Sequence, residues 1–374
     1  MASYFLLIII LAAIYYTAGI TRKKGFDNLS VHREVSSASI MEGEKIHITI
    51  TVENKKWLPI SFLYIIENIP NGLQYPGKFA GNVNGTTEHA MRYTILWYER
   101  VKKTYSLIGE KRGVYLFRNM AVTIGDFFGL SAESKKIDDY MEIIVFPKII
   151  KMNEVFFNNK SLMGDTAVKR WLHEDPLYIR GIREYRNEDR MKDIHWKSSL
   201  RMNKLMVKEY DHTSDIEVAI IVNVQADEYS WRAKDTEITE KGIRLGASLA
   251  AECIKQCFPT GMWTNAYVKC YRYEYKSEVQ PSLNSFRNIM ELCARMDNIC
   301  KNSFDEYLEK MIPNFKQDCV YIVITSFLNS KCVNILKRLS ENRINIKIID
   351  ISRDESVSTI NHIEKISCRG EEKL

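Results

Sequence analysis

The sequence has no cysteine before Cys253, although the chain of 374 residues contains eight. No C-x-x-C pair occurs, and Cys253 and Cys257 stand four apart within a helical pattern. A secreted protein held together by disulfides usually has paired cysteines spread through a small domain. The distribution therefore indicates reduced, mostly buried thiols in a cytoplasmic domain.

The short motifs of common catalytic and nucleotide-binding sites are also missing. The chain contains no G-x-x-x-x-G-K-[ST], no G-x-G-x-x-G and no G-x-S-x-G, and these are the patterns that position phosphates or a nucleophilic serine. The histidines at 173, 195 and 212 show no metal-ligand spacing such as H-x-x-x-H. We interpret them as histidines at the surface or at the junction between domains rather than as metal ligands. We therefore assign no catalytic residue, no bound metal and no cofactor.

Charge and length set broader limits. The net charge of +6 permits attraction to anionic lipid, but it is too small to require nucleic acid as a partner. A chain of this length can form about two domains with ordinary cores.

The N-terminus carries an uncharged apolar run from Tyr4 to Ile20, followed by Arg22, Lys23 and Lys24. This pattern predicts a transmembrane helix over residues 1–21. Because the positive charges follow the apolar run, the protein is expected to be a single-pass cell membrane protein with most of the chain in the cytoplasm. A buried core helix is the alternative, and the lack of a polar face argues against it.

Residues 22–147 show the pattern of short strands. From Lys45 to Val52 apolar and polar residues alternate, and later strand-like runs are separated by proline, glycine and asparagine. This arrangement predicts an immunoglobulin-like β-sandwich.

Residues 213–370 alternate between strand and helix patterns instead. Buried-strand runs at Glu217–Asn223, Cys319–Thr325 and Ile344–Asp350 are separated by helical spacings, such as the one from Thr236 to Cys257. The alternation predicts an α/β domain with a mainly parallel sheet covered by helices on both faces.

Between these regions, residues 148–212 form a charged junction. Its densest part, from Tyr178 to Asp211, mixes both signs of charge with apolar residues. A solvated tail usually carries one sign of charge, so the mixture favours a folded, polar-lined segment. We expect Ile194 and Trp196 to be buried there, and Asp189 to cap a helix that runs from Ile194 to Leu200.

This stretch resembles the signature of the bacterial family called domain of unknown function 58. Glu188, Asp193 and Leu200 depart from the usual glycine, arginine and alanine. Shorter elements at Gly125–Leu130 and Val145–Pro147 resemble further family motifs. The residues that fit the signature are Arg183, Glu184, Tyr185, Asp189, Ile194, Trp196, Lys197, Ser198, Leu205, Met206, Val207 and Glu209.

The resemblance implies that the α/β domain is similar to a von Willebrand factor A domain, which is Rossmann-like. Such domains often hold Mg²⁺ at their strand ends through a D-x-S-x-S motif and a distant threonine. Here the corresponding positions are Asn223, Gln225, Asp227 and Thr325. Amides replace the key carboxylate and hydroxyl ligands, so a degenerate site without metal is expected.

The resemblance also implies partnership with a MoxR-type AAA+ ATPase. The expected function is that of a non-enzymatic, membrane-anchored adaptor in the assembly or maintenance of membrane or envelope complexes, without nucleic acid. A hydrolase that uses Asp189, Asp193 and His195 and a purely structural scaffold are the alternatives. The expected interaction residues are Arg183, Glu184, Tyr185, Arg186, Asp189, Asp193, His195, Trp196 and Lys197.

Overall fold

The computed structural model of the protein describes residues 2–76, 82–83, 86–126, 132–150, 179–186, 189–210, 217–228, 235–271 and 275–367. His173, His212 and the motif residues 127–130 lie outside the described residues. The chain forms two compact units. Unit 1 contains residues 1–148, 269–275 and 293–296, and unit 2 contains residues 149–268, 276–292 and 297–374.

The chain begins with helix α1, Ala2–Lys24. No helix within the described ranges is both long enough and apolar enough to cross a membrane. The apolar run of α1 stops at Ile20 and the last turn carries Arg22, Lys23 and Lys24, whereas a spanning helix needs about 20 consecutive apolar residues. The predicted transmembrane helix, and with it the single-pass membrane localisation, is therefore wrong.

The predicted fold class, which began with that helix, needs the same correction, because the protein is mostly β structure with a few helices. The strands are β1 Leu29–Val35, β2 Ser39–Met41, β3 Lys45–Asn54, β4 Ile60–Pro70, β5 Leu73–Gln74, β6 Asn82–Val83, β7 Thr86–Ile95, β8 Arg100–Gly109, β9 Gly113–Gly125, β10 Ala132–Phe146, β11 Ile179–Glu184, β12 Met206–Tyr210, β13 Glu217–Val222, β14 Thr260–Thr264, β15 Ala266–Val268, β16 Glu278–Ser282, β17 Met296–Cys300, β18 Cys319–Thr325, β19 Asn345–Asp350 and β20 Glu364–Ser367. The other helices are α2 Trp196–Met202, α3 Thr236–Lys255, α4 Phe286–Arg295, α5 Phe304–Met311 and α6 Ser330–Glu341, with 3-10 turns at Met191–Asp193 and Ile312–Asn314.

Unit 2 is built on a six-stranded sheet in the order β16-β14-β13-β18-β19-β20. Within this sheet the neighbouring strands β14, β13, β18, β19 and β20 run parallel to one another. The edge strand β16 runs antiparallel to β14. The central strands β13 and β18 are almost wholly buried. Parallel strands buried on both faces consist of continuous apolar residues rather than alternating ones, and both strands have that composition.

Helices cover both faces of this sheet. Side chains from α5 and α6 pack in one apolar cluster with Ala219, Ile221 and Val323. On the opposite face α3 approaches so closely that a Cβ at Gly246 would lie 3.1 Å from Cγ2 of Val222. Because successive side chains of a strand point to opposite faces, Ile221 and Val222 mark the two layers.

Unit 1 contains two sheets, in the orders β1-β3-β8-β5 and β2-β10-β9-β4-β7-β6. The strands pair antiparallel, except that β2 runs parallel to β10. Burial alternates along β3, with Ile46, Ile48 and Ile50 inside, as the alternation in the sequence predicts. Inward side chains from both sheets share one apolar core.

A buried ionic cluster interrupts this core. Arg33 of β1 donates from Nη1 to Oε2 of Glu67 at 3.1 Å, and Nδ1 of His89 lies 3.1 Å from the other oxygen of Glu67. The Glu67 side chain is fully buried. Nη2 of Arg33 also donates to the backbone oxygens of Arg118 and Asp139. A charge removed from water is tolerated only when it is paired and hydrogen-bonded. The guanidinium of Arg33 is paired with the fully buried Glu67 and, through Nε at 3.3 Å, with the partly exposed carboxylate of Asp139.

We expect Glu67→Ala to lower the free energy of unfolding of the full chain by about 3–5 kcal/mol, because it removes the fully buried carboxylate partner of Arg33 and leaves only the partly exposed carboxylate of Asp139 beside it. Urea denaturation at neutral pH measures this loss. The matched control is Glu53→Ala, which breaks the exposed pair of Glu53 with Arg100. Equal losses in the two variants would contradict the role assigned to the buried cluster.

Candidate functional site

The charged motif segment of unit 2 is framed by the antiparallel pair β11 and β12. Arg183 stands opposite Val207 and Glu184 opposite Met206. The backbone N–H of Tyr185 continues the pairing by donating to the carbonyl of Leu205 at 2.9 Å. This pairing holds both ends of the segment together, and we call residues 179–186 and 189–210 the motif module.

A bidentate ion pair stabilises the turn that leaves β11. Nη1 and Nη2 of Arg183 each donate to one oxygen of the Asp189 carboxylate at 2.6 Å. The backbone N–H of Arg186 also donates to Oδ2 of Asp189 at 2.7 Å. The hydrogen bonds from Arg183, and then the one from the Arg186 backbone, lower the pKa of Asp189 to about 2. Asp189 is thus ionised at neutral pH and committed to this turn.

Helix α2 is capped by His195 rather than by Asp189, which corrects the expected cap. Nδ1 of His195 accepts a hydrogen bond from the backbone N–H of Ser198 at 3.1 Å. The Asp189 side chain cannot serve that helix because the Arg186 turn already engages it. The α2 helix ends at Met202, and the next residue, Asn203, caps it with a left-handed backbone whose φ is 53°.

Ser199 attaches the inner side of α2 to β12. Its Oγ accepts from the backbone N–H of Met206 at 2.9 Å and donates to the carbonyl of His195 at 3.1 Å. The backbone N–H of His195 donates to the carbonyl of Met206 at 2.8 Å. Ser199 and Met206 are buried, and so is Ile194, which bridges to Val207.

Trp196 lies on the other side of α2 and is 63% exposed. The expectation that it is buried is wrong, while the same expectation for Ile194 is confirmed. Since His195 and Ser199 face inward one helical turn apart, Trp196 and Leu200 form the neighbouring outward stripe. Among the residues of the segment whose side chains the structure describes, six large apolar ones are exposed: Ile182, Met191, Trp196, Leu200, Met202 and Leu205.

The remaining predicted interaction residues lie on the same module. Glu184 ends β11 and forms an exposed ion pair with Lys204 at 2.9 Å. Asp193 ends the 3-10 turn, and Lys197 is exposed in the first turn of α2. The structure thus brings all the predicted interaction residues together on this module: Arg183, Glu184, Tyr185, Arg186, Asp189, Asp193, His195, Trp196 and Lys197.

These contacts limit the chemistry of two of the three residues proposed as a hydrolytic cluster. A general acid or base works best with a pKa near the working pH, and the pKa of Asp189 is lowered to about 2. His195 uses its Nδ1 lone pair to cap α2. Asp189 and His195 therefore serve structural hydrogen bonds in this geometry.

The second predicted position is the end of β13, where amide side chains form a buried network. Nδ2 of Asn223 donates to Oγ1 of Thr325 at 2.9 Å and to the carbonyl of Phe327 at 3.1 Å. Oδ1 of Asn223 accepts from Nδ2 of Asn265 and from the backbone N–H of Gln225, both at 2.9 Å. Every polar atom of the Asn223 side chain is therefore engaged by protein.

Gln225 extends the network to the next helix. Its Oε1 accepts from the backbone N–H of Phe304, the first residue of α5, at 2.8 Å, and its Nε2 donates to the carbonyl of Asp227. Asp227 is exposed. Among the described residues, no three histidine, cysteine, aspartate or glutamate side chains form a group that could hold a metal ion. The expectation that this strand end is a degenerate site without bound metal stays a prediction.

Some residues that take part in these two sites were not predicted from the sequence. Asn265, directly after β14, accepts the backbone N–H of Val224 through Oδ1 at 3.0 Å. The available signal was its position, since a polar residue that follows a buried parallel strand reaches the same sheet edge as Asn223. Ser199 and Leu200 were also missed as functional positions, because the side of α2 that faces inward is decided by the hydrogen bond of Ser199 to Met206.

Comparison with protein families gives a match for the second half of the chain. Residues 181–363 match the model of the family described as "Protein of unknown function DUF58". The resemblance to domain of unknown function 58 is thus confirmed over these residues. A relative from Bacillus subtilis (strain 168), the uncharacterized protein YeaD, is 22% identical over 213 residues. That alignment covers 56% of this chain and 51% of the relative, so the chain spans about half of the relative's length.

Solved structures that resemble part of the chain are distant. The CARDB domain of PF1109 from Pyrococcus furiosus is 12% identical, with a TM-score of 0.22, over 33% of this chain and 98% of that one. A cohesin module of a family 33 glycoside hydrolase from Clostridium perfringens is 10% identical, with a TM-score of 0.24, over 32% of this chain and 98% of that module. Likenesses this weak carry no functional argument.

We expect Asp189→Asn to destabilise the chain at neutral pH, because the neutral side chain loses the charged pair with Arg183. A carboxylate with a lowered pKa contributes stability above its unfolded-state value of about 3.9, and that contribution disappears as the pH falls through its folded value of about 2. The parent and the variant should therefore differ most above pH 4 and converge below it. Urea midpoints at pH 7, 4 and 3 test this, with Glu184→Gln, which breaks an exposed pair, as the control. A difference between parent and Asp189→Asn that does not shrink on acidification would contradict the assignment.

We expect Asn223→Asp to lower the free energy of unfolding by at least about 1–3 kcal/mol, because it removes two donated hydrogen bonds and places a carboxylate beside the Phe327 carbonyl. Chemical denaturation measures the loss, and the exposed Asp227→Asn serves as control.

Calorimetry of the parent with Mg²⁺ should show no saturable site at micromolar concentration. Micromolar Mg²⁺ binding that is lost in Asp227→Ala would show that the strand end is a metal site after all.

Proposed function

We propose that this protein is a non-enzymatic adaptor, whose motif module binds a partner protein, and that the partner is a MoxR-type AAA+ ATPase. The observation that carries the proposal is the outward side of α2. Trp196 and Leu200 are exposed there, next to the exposed basic residues Lys197 and Arg201. Large apolar side chains grouped on a surface and rimmed by charge are typical of protein interaction sites.

The internal contacts of the module support a binding role over a catalytic one. Its carboxylate with a perturbed pKa, Asp189, is saturated by Arg183 and the Arg186 backbone. His195 is engaged as a helix cap and Ser199 as a connection to β12. The groups with chemical reactivity thus hold the module together, and the outward side of α2 presents apolar and basic side chains.

The strand-end network supports the same interpretation for the α/β unit. A domain similar to von Willebrand factor A would place a ligand at the carboxyl ends of β13 and β18. Here Asn223 and Thr325 bind each other at that place. We propose that this unit serves as a rigid scaffold for the motif module rather than as a metal-dependent binding site.

The identity of the partner rests on the family resemblance over residues 181–363. An adaptor for an AAA+ ATPase would present client complexes, in this case membrane or envelope assemblies, to an ATP-driven machine. The proposal therefore includes a dependence of binding on the nucleotide state of the ATPase.

We expect the purified full chain to retain a purified MoxR-type ATPase from the same organism, and to retain it differently with ATP and without nucleotide. Replacing both Trp196 and Leu200 with alanine should weaken retention at least tenfold. The melting temperature should change little, because exposed side chains contribute little to folding. Surface plasmon resonance with immobilised chain measures retention, and a thermal melt checks the fold.

Trp57→Ala is the matched control, because Trp57 is a similarly exposed tryptophan in unit 1, 67% against 63% for Trp196. It should leave retention unchanged. Failure of the parent chain to retain the ATPase in any nucleotide state would overturn the ATPase partnership.

A further inference from the structure

We propose that the outward side of α2 binds an acidic peptide segment of the partner, one that carries two apolar side chains at helical spacing flanked by glutamate or aspartate. This inference rests on the proposed function, because it names the chemistry that the adaptor's partner must present. It is carried by two parallel stripes on α2, one apolar and one basic.

The apolar stripe consists of Trp196 and Leu200, which are four residues apart and therefore lie on one side of the helix. Trp196 is 63% exposed and Leu200 is 82% exposed. The inward positions of the helix are already filled, because Ser199 is buried against Met206. Rotating the helix to bury Trp196 would break the Ser199 and His195 bonds to β12, so these two side chains remain available to a partner.

The basic stripe lies beside the apolar one. Lys197 and Arg201 are also four residues apart and both are exposed. From residue 189 to residue 208 the acidic residues are Asp189 and Asp193, and Asp189 is neutralised by Arg183. Apart from Lys204, which is paired with Glu184, the basic residues of the same span are Arg190, Lys192, Lys197, Arg201 and Lys208. The surface thus carries an excess of positive charge, and its complement is acidic.

The combination of an apolar stripe and a basic stripe favours an acidic peptide over other anionic ligands. A nucleic acid is bound mainly through phosphate contacts and base stacking. Trp196 offers a ring for stacking, but Leu200, the most exposed apolar side chain here, has no role in such a contact. An acidic amphipathic helix supplies both complements at once, with apolar anchors for the Trp196 stripe and carboxylates for the Lys197 stripe.

A library of random 16-residue peptides displayed on phage, selected on the immobilised full chain, tests this inference. Enriched peptides should carry net negative charge and apolar residues spaced three or four apart. Synthetic copies of them should bind the parent in fluorescence anisotropy and lose affinity as salt is raised.

Variants of the two stripes make the test specific. Leu200→Ala should weaken binding of the selected peptides at least tenfold, and Leu283→Ala, at another exposed leucine of unit 2, should leave it unchanged. The double charge reversal of Lys197 and Arg201 to glutamate should abolish binding. The same reversal at Lys337 and Arg338, which are exposed on α6, should not.

Several outcomes would overturn the inference: no enrichment, enrichment of neutral or basic peptides, peptides that bind Leu200→Ala as well as the parent, or displacement of the peptide by a single-stranded 20-mer oligonucleotide. The result is separable from the adaptor proposal. If the ATPase is retained normally by Leu200→Ala, the docking surface is wrong while the partnership stands. If acidic peptides bind as expected but the ATPase does not, the docking surface stands and the partnership is wrong.

Discussion

Polar groups that leave water need partners inside the protein, and this requirement shapes each polar centre of the structure. In unit 1, Glu67 pairs with a buried guanidinium. At the end of β13, amide side chains pair with one another and with Thr325. In the motif module, the carboxylate of Asp189 accepts three hydrogen bonds from two arginines. If any of these groups were left unpaired, the free energy of unfolding would fall by more than it does for a typical surface substitution.

The same requirement explains why the motif contains so many charged residues without forming a reactive centre. Side chains that could act as acid or base are held as structural acceptors. The exposed positions are filled with residues that have little chemistry but considerable contact area. This division of roles suits a protein that recognises another protein, because a recognition surface needs a rigid support and exposed anchors.

Much of the architecture was predictable because it depends on periodicity. The alternation from Lys45 to Val52 marked β3, and the apolar run at Cys319–Thr325 marked β18. The exposure of Trp196 was not predictable, because a helix as short as α2 has too little repeat to show which side faces inward. That side is decided by Ser199, whose hydroxyl bonds to Met206 across a turn. Likewise, an aspartate near a helix start can cap it or pair with an arginine, and only the Arg186 turn decides between them. The apolar run near the N-terminus misled for another reason, since its length lies close to the limit for a membrane span.

The amide network at the end of β13 has a consequence for how this unit responds to its surroundings. A strand end held by a cation changes with the concentration of that cation, and it can be emptied and refilled. Asn223, Asn265 and Gln225 are covalent parts of the chain and occupy their positions permanently. The geometry at this edge of the sheet is therefore set by hydrogen bonds between the chain's own side chains. A perturbation of this strand end would have to act on those hydrogen bonds.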